Sequence, residues 1–238
     1  MAIAHDSQAL GVANTAAGNY DTSITPANPP AAVCVAVVYN AVSDLVTSVA
    51  FGISTGAVSL TRRRFDTESI EAGAVMLYWA AGTFPSGAQT VRVVRTGTTS
   101  MMAVISTMTV TDPASFTVAV DSDATGSSAS VANPSWTHTS LVDSVVAYLA
   151  IHSGLTAMTA TPAASWTLQT SEDYGAQGRG FARRTLATAG ALAPGWTAST
   201  ADDFVGSSIA FKEVPVTVAG GARQPVVSRR AAMRASIW

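Results

Sequence analysis

Short runs rich in valine, isoleucine and threonine recur along almost the whole chain, each broken by Gly, Pro, Asn, Asp or Ser. No stretch before residue 213 carries a helical period with caps. Strand-length runs bounded by turn residues predict an all-β fold. The runs fall at Val33–Tyr39, Ser48–Ile53, Val58–Arg62, Gly73–Trp79, Thr90–Arg95, Met101–Val110 and Phe116–Val120. Val33–Tyr39 is apolar without interruption, as a strand covered on both faces would be. In Thr90–Arg95 the two arginines, Arg92 and Arg95, are spaced to leave opposite pleats. Asp121–Asn133, made of small polar residues, reads as a loop.

The second half of the chain echoes the first. Ala32–Tyr39 corresponds to Asp143–Ile151, Ser59-Leu60-Thr61 to Ser165-Trp166-Thr167, Gly73–Ala80 to Gly178–Leu186, and Met102–Val110 to Ser207–Val214. The offset is about 105 residues, too long for a solenoid repeat and suited to two halves of one architecture. Each half alone would leave many bare strand edges. The expectation is therefore one antiparallel double-sheet sandwich of jelly-roll type built from two similar halves. It spans residues 30–214, after an N-terminal extended segment at 1–29 and before a C-terminal arm at 215–238.

Charge divides the chain in the same way. Only 12% of residues are charged and lysine occurs once, at Lys212. Nucleic acid is not an expected partner at that balance. Residues 1–216 carry net −6, whereas the remainder holds Arg223, Arg229, Arg230 and Arg234 with no acidic side chain, or +4. Such an arm is suited to lie on an acidic neighbour, with Ile237 and Trp238 buried at the contact. These six residues are the candidate partner-binding set. The longest apolar run, Ala31–Tyr39, is well short of the roughly 18 residues of a membrane span, so no membrane partner is expected. The start of the chain lacks the basic-then-apolar pattern of a secretory signal. The single Cys34 lies in an apolar run and reads as a small buried hydrophobe.

Reactive chemistry is sparse. Gly52-Ile53-Ser54-Thr55-Gly56 has the nucleophile-elbow spacing, but a strand pattern follows it where a helix is needed, so it reads as a hairpin turn. His5, His138 and His152 have no metal-ligand spacing with one another or with Cys34, and Asp143 with His152 is a chance pairing. Asp121-Ser-Asp123 and Asp202-Asp203 read as turns, and Arg62-Arg63-Arg64, close to Asp66, Glu68 and Glu71, as a solvated, self-neutralised loop. Trp79, Trp136, Trp166, Trp196 and Phe211 read as core aromatics. No catalytic, cofactor-binding or metal-binding residue is expected, and no enzymatic activity.

Several segments resemble a β-sandwich family of tailed-bacteriophage structural proteins and some bacterial surface proteins. They are Val46–Gly52 followed by Leu60-Thr61-Arg62, then Leu77-Tyr78-Trp79, the Gly82–Val91 turn and strand, Ala-Ser-Trp-Thr-Leu at 164–168, and the closing Gly-Ser-Ser-Ile-Ala-Phe-Lys strand at 206–212. The resemblance implies a structural component of a virion, a tail or capsid decoration protein, assembled in many copies with itself and other virion proteins and made in the bacterial host cytoplasm. The alternative is a carbohydrate-binding module directed at a host-surface glycan.

Overall fold

A computed structural model of the protein describes residues 3–14, 16–70, 72–154, 162–174, 177–198 and 200–216. All regular structure among them is β. The first nine strands are β1 (Ala4–Asn14), β2 (Gly18–Ile24), β3 (Ala32–Tyr39), β4 (Val46–Phe51), β5 (Val58–Ser59), β6 (Thr61–Glu68), β7 (Gly73–Ala81), β8 (Gln89–Arg95) and β9 (Met101–Thr109). Their pairing is nested. β1 pairs with β9 (Ala4↔Thr109), β2 with β8 (Ile24↔Gln89), β3 with β7 (Tyr39↔Ala74) and β4 with β5 (Phe51↔Val58), all antiparallel. This is one long hairpin rolled up so that successive steps alternate between two sheets, which is how a jelly roll is made. The resulting orders are β1-β9-β3-β7-β6 and β2-β8-β4-β5, with β6 added at the edge of β7.

The remaining strands are β10 (Phe116–Val131), β11 (Thr139–Ser140), β12 (Val145–Ser153), β13 (Thr167–Tyr174), β14 (Gln177–Leu186), β15 (Gly190–Ala191) and β16 (Asp202–Pro215). Here β10 pairs with β16, β11 with β15 and β12 with β14, giving a five-stranded sheet β10-β16-β12-β14-β13 and a two-stranded sheet β11-β15. Among the described residues nothing stands where β4 and β5 stand in the first half.

The two five-stranded sheets lie face to face and form the centre of the sandwich. β3 packs on β12, β7 on β12 and β16, β6 on β10 and β16, and β1 on β13. Alternation along each strand then assigns every apolar side chain to a layer. Ala32, Cys34, Ala36 and Val38 of β3 meet Val146, Tyr148 and Ala150 of β12 in the central core, with Phe181, Ile209 and Phe211. Val33, Val35, Val37 and Tyr39 point the other way, onto Val49, Phe51, Val91 and Val93 of the outer sheet. Val145, Ala147, Leu149 and Ile151 likewise face outward, under Trp166, Leu192 and Trp196. Eight consecutive buried residues in β3 and nine in β12 follow directly, because both faces of both strands are covered.

Several polar segments fold differently from their sequence reading. The first thirty residues contain two strands: β1 is the edge of a central sheet and β2 the edge of an outer one. Asp121–Asn133, expected as a loop, is largely strand, because β10 continues to Val131 along the backbone ladder of β16. Its small residues have a packing reason. Gly126 lies opposite Gly206, and the indole of Trp136 rests on both: a Cβ at position 126 would sit 2.6 Å from the Trp136 side chain, and one at 206 would sit 2.3 Å from its ring. Trp136 Nε1 donates to Ser208 Oγ at 3.0 Å, which fixes the ring there. Gly206→Ala should therefore cost about 2 kcal/mol by overpacking, read as a lower midpoint in urea with unchanged slope.

Arg62-Arg63-Arg64 is not a loop either but part of β6, and its neutralisation comes largely from elsewhere in the chain. Arg62 pairs with Asp44, Arg63 with Asp123 at 2.6 Å, and Arg64 with Asp66 at 2.6 Å and Asp123 at 3.0 Å. Arg92 and Arg95 do leave opposite faces of β8. Arg92 is bidentate to Asp21 on the outer surface, whereas Arg95 is buried over the Tyr20 ring.

Candidate interaction surfaces

Polar side chains line both margins of the central core and tie the two sheets together. At one margin Asp123 of β10 receives Arg63 and Arg64 of β6, and Ser207 Oγ donates to Asp66 Oδ2 at 2.5 Å. At the other, Gln169 Nε2 donates to Ser106 Oγ at 2.9 Å, and the His5 ring lies 3.0 Å from the Tyr148 hydroxyl. A third group closes one end of the core. His152 and Arg179, directly opposite on β12 and β14, are both fully buried. His152 Nε2 is 2.9 Å from Asn40 Oδ1, Arg179 donates to Asn40 at 3.1 Å and to Ser100, and Ser153 Oγ donates to Asp202 Oδ2 at 2.5 Å. Gly73 makes room for the imidazole: a Cβ there would stand 2.1 Å from His152 Nδ1.

These environments set the charge states. Burial, reinforced by the neighbouring Arg179 cation and opposed by Asp202, lowers His152 to about 3. His5 falls to about 4, again mainly by burial and secondarily through Arg183, and burial also lowers His138. All three imidazoles are thus held neutral inside the protein at pH 7. Cys34 is a free, buried thiol pushed far above its usual range by desolvation.

The sequence candidates for chemistry are scattered. Ser54 is exposed at the tip of the rolled hairpin, in a turn where Gly52 and Gly56 take φ of 73° and 121°, a region glycine enters without strain. Asp143 caps a turn by accepting from Ala189 N at 2.6 Å, at the opposite end of β12 from His152. Asp121 and Asp123, read as turn residues, lie on β10, and Asp202 and Asp203 open β16. Asp121 Oδ2 accepts from Leu141 N at 2.8 Å and Ser140 Oγ at 3.2 Å, with Lys212 Nζ 3.5 Å from its other oxygen. Among the described residues no three His, Cys, Asp or Glu side chains come together as a metal site.

The aromatics are structural. Trp79 packs on Phe211, Trp166 Nε1 donates to Leu192 O at 2.9 Å, and Trp196 lies against Gly180. The arm residues Arg223, Arg229, Arg230, Arg234, Ile237 and Trp238 lie outside the described residues. The group formed by buried Ser100, His152, Arg179 and Asp202 with half-buried Asn40 has no sequence signal, since its members are drawn from five separate stretches of chain.

No family model matches the chain, and no curated protein does. Among solved structures the chain is similar to the crystal structure of the major capsid protein P2 from bacteriophage PM2. The TM-score is 0.31 and the identity 8%, over 92% of this chain and 99% of that one.

Proposed function

We propose that this chain is a non-enzymatic structural subunit of a bacteriophage particle, a tail component or capsid decoration protein. It works in many copies, joined to itself and to other virion proteins through its sandwich surface and terminal arms. The observation that carries this reading is the jelly-roll ladder, laid down once in full and once in its main steps, with the two central sheets fused by a third core. That construction spends its buried polar groups on holding sheets together. Its sites of greatest burial, such as the His152–Arg179 group, are filled by one another rather than open to a substrate. The family resemblance of the 46–62 and 206–212 segments points the same way, as analogy.

Part of the assembly energy in this reading comes from the arm beyond residue 216. Its four arginines meet the acidic body of a neighbouring copy and set register and encounter rate, an effect weakened by salt. Burial of Trp238, worth on the order of 2–3 kcal/mol, supplies affinity. Deleting residues 217–238 should leave the melting temperature unchanged and prevent incorporation into particles that lack this subunit. Incorporation at the level of the intact chain would remove the arm from the assembly mechanism.

A further inference from the structure

The first half has an open flank between β4 and β5 of its outer sheet and β6 and β7 of its central one. A cleft of ≈ 620 Å³ lies there, larger than the three others described, which measure ≈ 400, 270 and 250 Å³. Its size is in the range of small-molecule sites. Val46, Val49 and Leu60, all buried, contribute an apolar floor. The rim is polar and mostly hydroxylic: Thr47, Ser48 and Ser59, with Asp44 and Arg62. Thr47 Oγ1 donates to Val94 O at 3.1 Å. Among the described residues the hydroxyls of Ser48 and Ser59 are not engaged.

We infer that this cleft binds a neutral saccharide. The Asp44–Arg62 ion pair decides the class. Its two side chains remain 40% and 38% exposed, so a carboxylate that accepts from vicinal hydroxyls stands next to a guanidinium that donates to ring and hydroxyl oxygens. Because the pair is neutral as a whole, neither an anionic nor a cationic ligand gains net attraction from it. A ligand dense in both donors and acceptors, with an apolar face for the valine and leucine floor, satisfies every group. Arg62 is also held in advance, between Asp44 and the Phe65 ring 5.5 Å away, which lowers the ordering cost on binding. The second half repeats the main ladder steps but, among the described residues, has no β4–β5 pair. This inference is independent of the virion role.

The test is a ¹⁵N-resolved titration of the full chain with maltose, lactose, cellobiose and diacetylchitobiose, each up to about 50 mM, a range that reaches Kd values in the millimolar class. At least one sugar should shift amides within 46–49 and 59–62. Ser59→Trp, which fills the cleft, should abolish those shifts, and Asp44→Asn should weaken them at least about tenfold, with melting temperatures kept. Should Ser59→Trp fail to fold, Ser48→Tyr blocks the same cleft from the rim. The inference is overturned if none of the four sugars shifts these amides, or if the shifts survive both the blocking variant and Asp44→Asn.

Discussion

Phe211→Ala should lower the stability of both halves of the molecule at once, by about 3–5 kcal/mol. Phe211 is fully buried in the central core. Its ring lies 5.7 Å from that of Trp79, which belongs to the first half, and 6.1 Å from that of Tyr148, which belongs to the second. Removing it leaves a cavity in the one layer both halves share. The surrounding strands, each hydrogen-bonded on two sides, have little freedom to collapse into it. Calorimetry should record a single endotherm for the wild type and for the variant, lowered by roughly 10 °C for a chain of this size. Two endotherms of which only one moves would mean that the halves melt independently and that the central core contributes little.

Acid should act on the same layer from its polar end. His152 is neutral and buried when folded, with its pKa lowered to about 3 by burial and by the adjacent Arg179. In the unfolded chain it titrates near 6.5, the ordinary value of an imidazole. Above pH 6.5 neither state binds the proton and the stability contribution is complete. As pH falls below 6.5 the unfolded state takes up a proton that the folded state refuses, so stability is lost down to about pH 3. At about 1.4 kcal/mol per unit, this single group removes roughly 3 kcal/mol by pH 4. His5 acts in the same direction between pH 6.5 and about 4, and His138 adds to it. Urea unfolding at pH 7, 5.5 and 4 should show this fall. In His152→Gln the slope should be visibly smaller, because the amide can still reach Asn40 but does not titrate. An unchanged slope would place the acid sensitivity elsewhere.

The strands that build the layers were readable because each carries its reason locally. Val33–Tyr39 and Val145–Ile151 are apolar at every position, which is what burial on two faces requires, and they are the central strands β3 and β12. Polar strands were not readable, because their order comes from a partner. β10 beyond Val120 has almost no apolar side chain of its own; the ladder to β16 and the Trp136 ring over Gly126 and Gly206 hold it extended. β1 and β2 are edge strands of mixed, largely polar sequence, so few apolar side chains of their own mark them as strands. The arginine run illustrates the same limit. Its acidic neighbours in sequence suggested local neutralisation, yet two of its three partners, Asp44 and Asp123, are brought in by the fold. The cleft at Asp44, Ser48, Ser59 and Arg62 was invisible for that reason, since it is a gap between two sheets rather than a motif.

The nested ladder also puts a timetable on biosynthesis. The outermost pair of the first half joins Ala4 to Thr109, so its roll cannot close until β9 has left the ribosome. Once closed, it presents Ala32, Cys34, Ala36, Val38, Leu77 and Val104 on a face whose cover, β12, β14 and β16, has not yet been made. At 5–20 residues per second the nascent chain carries that bare apolar face for roughly ten seconds. During that interval two nascent chains on one messenger can join face to face, each supplying the layer the other lacks. Slow translation of the second half should therefore raise the yield of aggregated chain, and a holding chaperone present in that interval should restore it.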